Sequence, residues 1–427
     1  MADGAAKLLV AYWVFRLTYR GPPRVTPLMK LLRFVALGLL LISAATQAQT
    51  PGPAPRPTED FGDLVHKVFP RKHPKPAQDS AKVQKERALV VLPAVAYTLE
   101  ARLLASVTAS VAFQREDANL SSLSTTLTYT QNQQIILAMN GPLWTAHNHS
   151  LWLSDYRLLH YPQRTYGLGS NSHEDDYIAM DYNLLRVHQS YYHRVGRTGP
   201  LYVGVGYFLD SRWKIQSVSQ DNQTLSEISG YRIGVAGRST SSGLVASVLR
   251  DTRDNALRPA AGENYLFMAL RTNLRLLGSD ENYRFFQVDT RRYFRVGPPG
   301  NVLAFWLYGD FTLGQAAPYL DLPATGWDTY SVTGRGYIQG RFRGTSLVYG
   351  ETEYRFNLTR SRVLGGVVFV NGQSARNPYT GYGRVAPAGG TGIRLCLSKK
   401  VGTYLAVDYA WGLEGSNGVF FNLGEVF

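Results

Sequence analysis

From residue 88 to the end of the chain, side-chain character repeats with a period of two, and that repeat limits the fold more than any other feature. In the segment Val401 to Trp411, Val401, Leu405, Val407, Tyr409 and Trp411 share one face, and Gly402, Tyr404, Ala406, Asp408 and Ala410 share the other. Between Asn301 and Phe311, Leu303, Phe305, Leu307 and Phe311 stand opposite Trp306, Tyr308 and Asp310. Between Glu263 and Leu276, a face running from Leu266 through Met268, Leu270 and Leu274 opposes Glu263, Arg271, Asn273 and Arg275. Successive side chains of a strand point to opposite faces, so these segments are strands with one apolar and one polar face. Two architectures satisfy them. A soluble sandwich would turn the faces to core and solvent; a transmembrane barrel would turn them to lipid and a wet lumen.

The N-terminal region favours the barrel. Met29-Lys30-Leu31-Leu32-Arg33 followed by the apolar run Phe34 to Ile42 reads as an export signal, with Thr46-Gln47-Ala48 as the cleavage site before Gln49. Residues 1–28 do not fit that signal, so translation is expected to start at Met29; a long basic leader is the alternative. The apolar run is too short for a membrane helix, and no other stretch approaches the roughly 18 apolar residues needed. A chain that spans a membrane without such a helix must do so as a closed barrel, which satisfies its backbone groups internally. The last segment, Val419 to Phe427, agrees: Val419, Phe421, Leu423 and Phe427 share a face, with Glu425 as the one charged member. The expectation is a closing wall strand whose terminal aromatic Phe427 acts as a sorting signal, weakened at Gly424.

Charge and motifs exclude several function classes. The formal net charge is +14, but no nucleic-acid motif accompanies it, and the export signal argues against a nucleic-acid partner. A basic lumen and basic residues facing lipopolysaccharide fit better. The single cysteine, Cys396, forbids an intrachain disulfide and lies in an alternating segment as a small packing residue. No Cys/His cluster has metal-ligand spacing, so no metal or cofactor is expected. His147 and His149 are placed in a turn or at a strand end. Catalysis would need a nucleophile with a base and an orienting group. There is no Gly-x-Ser-x-Gly, and His147, His149, His160, His173, His188 and His193 show no evident Ser or acid partner, so no catalytic residue is assigned. Glu174-Asp175-Asp176 is either a solvated loop or a divalent-cation site beside lipopolysaccharide.

Along the chain, residues 49–87 form a Pro- and Lys-rich linker. Phe61, Leu64, Val65, Val68 and Phe69 recur within it at helical spacing, with Thr58 or Asp60 as the cap, which predicts a short amphipathic helix near the periplasmic mouth; a disordered tether is the alternative. Residues 88–427 divide into seventeen strand-like segments. Single-chain bacterial barrels have even strand numbers, so the segments 229–238 and 243–251 are read as one bent strand, giving about 16. Short turns alternate with long loops at 161–175 and 314–343, as periplasmic turns alternate with external loops. The fold class is therefore all-β, a transmembrane antiparallel barrel.

Three segments in order suggest a family. They are Asp251-Thr252-Arg253-Asp254-Asn255 with Pro259 and Gly262, then Gly334-Arg335-Gly336-Tyr337 in the longest loop, then Glu353-Tyr354-Arg355 in the following strand. With Val90 to Tyr97 and Tyr166 to Asn171, they give residues 88–427 a pattern that resembles the barrel of the BamA/TamA bacterial surface antigens, the outer-membrane assembly family. Physical reasoning supports the loop motif independently. Glu351, Glu353 and Arg355 share a charged, lumen-type face with Leu347 and Tyr349. A long loop folded into the lumen would let Arg335 pair with Glu353, since a buried arginine demands a carboxylate, with Gly334 and Gly336 permitting the sharp backbone turns. An exposed basic loop is the alternative. The resemblance implies that the arginine is an internal latch. It also implies an aspartate in the next strand, where this chain has Asn371, so the latch would rest mainly on Glu353.

Residues 49–87 are too few for a periplasmic POTRA domain, the client-collecting module of the family. The resemblance thus implies a POTRA-less barrel that assists insertion or translocation of proteins or lipids through a lateral seam between the first and last strands. Pro93 lacks an N–H and would weaken that seam; the alternative is that it marks the start of the first strand. Partners would be outer-membrane lipids and lipopolysaccharide, unfolded outer-membrane protein clients, and periplasmic or lipoprotein partners. The alternative function is a passive pore or structural barrel.

Overall fold

The computed structural model describes residues 57–68, 88–218, 224–314, 317–399 and 403–427. The export segment, both candidate start sites and most of the linker lie outside the described residues.

Sixteen long strands make the wall: β1 (Ala88–Thr98), β2 (Arg102–Gln114), β3 (Leu120–Thr130), β4 (Ile135–Trp144), β5 (Ser150–His160), β6 (Ile178–Arg194), β7 (Leu201–Ser217), β8 (Gly237–Asp251), β9 (Asn264–Asn273), β10 (Tyr283–Arg295), β11 (Val302–Leu313), β12 (Ser346–Asn357), β13 (Leu364–Asn377), β14 (Ala386–Ser398), β15 (Thr403–Trp411) and β16 (Asn417–Leu423). Each pairs antiparallel with the next from β1 to β16. The sheet curls into a nearly closed barrel, and β1 and β16 approach each other. Among the described residues no ladder joins them: β1 is registered with β2 and β16 with β15. Pro93 sits in the middle of β1, opposite Val107, rather than at the strand start.

The two faces decide between sandwich and membrane barrel. Val95, Val205, Val370, Ile393 and Trp411 are exposed, whereas Asp210, Arg212, Asp289, Arg291, Glu353, Arg394 and Asp408 are buried. A soluble protein buries its apolar face. Apolar outside with charge inside is the arrangement of a wall standing in lipid.

One strand expectation fails. Residues 229–236 do not belong to the strand, whereas 237–251 form one strand rather than two. Leu225–Ser229 is a short helix, and β8 begins only at Gly237. The cause is local. Thr224 and Glu227 form a reciprocal capping box, and Gly230 closes the helix in the left-handed region at φ +65°, so side-chain hydrogen bonds there outcompete ladder bonds. The expected bend at 239–243 lies inside continuous strand.

The predicted linker helix is present as α1 (Phe61–Val68). Asp60 and Asp63 exchange backbone-to-carboxylate hydrogen bonds at its start, and Lys399 donates to Asp63 at 2.6 Å. Leu64 packs beneath buried Cys396, Val363 and Tyr404 at the foot of β14 and β15. Thr58, the other candidate cap, instead binds the Ser361 carbonyl.

Candidate functional site

The 32-residue connection between β11 and β12, residues 314–345, is the longest between wall strands. Gly334 (φ +79°) and Gly336 (φ +101°) both take left-handed backbone conformations, and a Cβ on Gly336 would come within 2.8 Å of the Ala388 Cβ. Between them Arg335 is 2% exposed. Its Nη2 donates to Glu351 and Glu353, its Nη1 to Asp408 at 2.5 Å, and its guanidinium lies 3.6 Å from the Phe369 ring centroid. Tyr337 donates to the Pro387 carbonyl at 2.6 Å and accepts from the Leu413 amide, tying the same turn to β14 and the 412–416 loop.

These contacts correct two expectations. Asn371 does not accept from the arginine; its Nδ2 donates to the Arg335 carbonyl at 3.0 Å. Nor does the pairing rest mainly on Glu353. Glu351 and Asp408 supply two further carboxylates, and Asp408 on β15 replaces the charge missing at Asn371.

The cluster continues into a closed ring. Arg335 pairs with Glu353, Glu353 with Arg355, Arg355 with Glu425 at 3.7 Å, Glu425 with Arg394 at 2.7 Å, Arg394 with Asp408 at 2.5 Å, and Asp408 with Arg335. Cations and anions alternate around it, and no side chain in the ring is more than 8% exposed. Burying these charges is tolerable only because each has at least two opposite neighbours; removing one would leave others uncompensated. Tyr349 donates to Glu351, the carboxylate that flanks the ring.

Glu425 reaches the ring because the last segment leaves the wall. The β16 ladder ends at Leu423, and Gly424 takes φ +91°. The Gly424 amide then donates to the Tyr404 carbonyl and the Glu425 amide to the Leu257 carbonyl, both at 2.7 Å. Phe427 therefore does not stand on the outer face with Phe421 and Leu423. It is 1% exposed, 5.1 Å from the Trp306 ring and 6.5 Å from the Tyr293 ring, and its carbonyl accepts from Arg355 at 2.8 Å. Glu425, the odd charged residue in an otherwise apolar alternation, was the sequence signal that the strand stops short of it.

The residues of the first motif lie against this tail. Arg253 forms a fork to Asp251 at 2.8 and 2.9 Å and covers the Tyr265 ring at 4.4 Å. Glu263 accepts from the amides of Asp254 and Ala260, while Gly262 (φ +94°) donates to the Tyr293 carbonyl. Pro259 is buried and Asp254 is exposed. The 252–263 loop thus supports Tyr293 and offers the Leu257 carbonyl to the tail.

A second inward cluster escaped the sequence reading. Asp210 on β7 accepts from Arg186 on β6 and from Arg271 on β9, each at 2.7 Å, and lies 2.9 Å from His188 Nε2. His188, expected to be unpaired, thus has an acid partner, and it stacks on Phe208. Counting by two placed only Arg271 of this cluster on a polar face and could not bring three strands into register. Nearby, Asp321 from the long connection receives Arg212 at 2.5 Å, Ser241 at 2.5 Å and Tyr283 at 3.2 Å. Other histidines also find partners: His193 lies 3.3 Å from Ser150 Oγ, His160 3.5 Å from Asp181, and His173 3.2 Å from Glu414. His147 and His149 occupy the β4–β5 turn as expected. Of the acidic run, the Glu174 amide binds Glu414, and Asp175 and Asp176 are exposed. Among the described residues no group of three metal-ligand side chains forms.

Sixteen antiparallel strands with apolar residues outside and an ion-paired interior define an outer-membrane type of barrel. Solved structures of that class match it. BamA from Haemophilus ducreyi lacking POTRA domains 1–3 aligns over 79% of this chain and 69% of its own, with TM-score 0.51 and 13% identity. CdiB from Acinetobacter baumannii aligns over 79% of this chain and 60% of its own, with TM-score 0.50 and 13% identity. CdiB from Escherichia coli aligns over 85% and 74%, with TM-score 0.51 and 10% identity. No protein-family model and no curated protein sequence matches the chain. At such identities the likeness establishes the fold: a barrel of the kind found in BamA and CdiB.

Proposed function

We propose that this chain is an integral outer-membrane barrel that assists insertion or translocation of proteins or lipids through a lateral seam between β1 and β16, with Arg335 as the latch of its long loop. The observation that carries the reading is the absence of a ladder between those strands while residues 424–427 turn away from the wall. An unpaired strand edge presents N–H and C=O groups to any incoming strand, and β-augmentation is the way such an edge captures an extended chain. Pro93 in the middle of β1 removes one donor, which keeps pairing across the seam weak. Clients would be unfolded outer-membrane proteins delivered by periplasmic or lipoprotein partners, with lipid and lipopolysaccharide around the exposed wall.

A Cβ built on Gly418 would lie 2.5 Å from Leu99 Cγ across the seam. Leu99→Cys with Gly418→Cys, in a Cys396→Ser background, should therefore form a disulfide that staples the seam. The oxidised protein is expected to lose its ability to insert an unfolded barrel client into liposomes, and reductant should restore it. Full activity of the oxidised form would rule out the seam. A large steady conductance in planar bilayers, equal in wild type and Arg335→Ala, would favour the passive pore instead.

A further inference from the structure

The outer face of the wall carries two arginines that the interior ion pairs do not reach. Arg250 on β8 shares its face with exposed Leu244 and Val248, and Arg292 on β10 falls between buried Arg291 and Tyr293, so both stand outward. One strand separates them. On β9, Arg250 is registered with Leu266 and Arg292 with Asn264, and Arg250 donates to the Asn264 side-chain oxygen. Their other outward neighbours in register are Leu201 and Phe305. Among the described residues the one charged group that acts on half-buried Arg292 is Arg250, a like charge that repels it. Inside the barrel, by contrast, Arg186 and Arg271 share Asp210, and Arg355 and Arg394 share Glu425. Two cations gathered without an acid call for an anion from outside the chain, since an uncompensated, partly buried charge is costly.

Position says which anion. β8 ends at Asp251 and β10 at Arg295, so the pair lies at the end of the barrel opposite the 314–345 connection, which leaves from the far end of β11. From there toward the middle of the wall the outer face turns apolar at Val248 and Met268, which are registered with each other and exposed. That is the height at which the phosphates of a leaflet meet its acyl chains. A guanidinium fork matches phosphate oxygens, and the apolar strip beside it suits a lipid rather than a free ion. A headgroup with its own ammonium would bring a third cation where no acid receives it, which favours a headgroup of net negative charge. We propose that Arg250, Arg292 and Asn264 form a site for an anionic phosphoglyceride of the periplasmic leaflet, with its phosphodiester between the two guanidinium groups and its acyl chains along Val248, Leu266 and Met268. The site rests on the reading of the wall as lipid-facing, but not on the seam or the latch.

The test reads which lipid sits there. The full chain with Cys396→Ser and Thr290→Cys carries a bimane dye on β10, on the face of Arg292. A second version carries it at Val370→Cys, exposed on β13 and away from both arginines. Each is reconstituted in phosphatidylcholine vesicles containing phosphatidylglycerol, with the acyl chains of one lipid or the other brominated to quench the dye. Phosphatidylglycerol should be preferred at Thr290→Cys by at least about fivefold, the effect of one arginine at an anionic surface, and by far less at Val370→Cys. Arg250→Gln with Arg292→Gln should abolish the preference. Arg250→Lys with Arg292→Lys should keep it, because net charge selects between these headgroups. Millimolar inorganic phosphate should leave it intact. Equal quenching by the two lipids at Thr290→Cys would overturn the site, as would an equal preference at both positions or one that survives the double glutamine variant. Loss of the preference to inorganic phosphate would mark a site for the free ion and overturn it too. Failure of the labelled chain to float with the vesicles would instead overturn the lipid-facing reading of the wall, and the site with it.

Discussion

The two inward charge clusters are built from the same residue types but differ in what they join. The Asp210 cluster gathers Arg186 and His188 from β6 and Arg271 from β9 around Asp210 on β7, strands fixed to one another through continuous ladders by way of β8. The Arg335 ring takes one member from the long loop, one from the tail and the rest from β12, β14 and β15. The first cluster stiffens what is already a wall. The second holds in place two segments that no ladder retains, the long connection through Arg335 and the tail through Glu425. Cluster chemistry alone thus says little about function; connectivity separates a brace from a fastener.

Four variants or conditions sharpen that contrast. Arg335→Ala should have the largest effect. It leaves Glu351, Glu353 and Asp408 short of a cation, with a cost of about 3–5 kcal/mol typical of a broken buried pair, read as a lower urea midpoint, and it should raise bilayer conductance as the loop is freed. Asp210→Asn should destabilise the barrel by a comparable or smaller amount, about 3 kcal/mol, yet leave conductance unchanged. A conductance rise in Asp210→Asn would erase the distinction. Glu425→Gln should cost less, about 1–3 kcal/mol, and act on the tail. In a Cys396→Ser background carrying Val426→Cys, it should speed maleimide labelling of that cysteine without raising conductance.

The smallest effect concerns the outer loops. The Arg384 hydrogen bond to Glu414, helped by the Glu174 amide and by Arg341, holds the Glu414 carboxyl down at about 2 against an ordinary 4.5. A depressed carboxyl stabilises the fold above its unfolded pKa and loses that contribution as pH falls through the folded value. Protection against hydrogen exchange at residues 172–174 and 413–415, relative to the intrinsic amide rate at each pH, should therefore be steady above about pH 5 and fall only between about 4.5 and 2. A loss of protection already complete at pH 4.5 would mean the contact holds no proton-linked stability.

The wall was legible in the sequence because a strand's period writes its two faces directly into residue order. The inward placement of Glu353, Tyr349, Asp310 and Asp408 followed from counting by two. Three kinds of information did not. The ring partner Asp408 lies 73 residues from Arg335, and no local pattern brings β15 beneath the loop. The tail broke the alternation at Gly424, where a glycine can take a backbone path that the period does not encode. The false strand at 229–236 failed because Thr224 and Glu227 cap a helix, a side-chain effect that an apolar count overlooks. The Asp210 cluster needed cross-strand register, which one sequence does not reveal.

The ring of ion pairs has one more property, which belongs to its shape as a circuit. A linear chain of contacts parts wherever one link fails. A closed loop of six links stays connected after any single failure and divides only when two fail together. Thermal fluctuation breaks individual pairs constantly, but coincident breaks are far rarer. The loop and the tail should therefore stay docked through ordinary noise, and a single event large enough to unseat several links would be needed to release them.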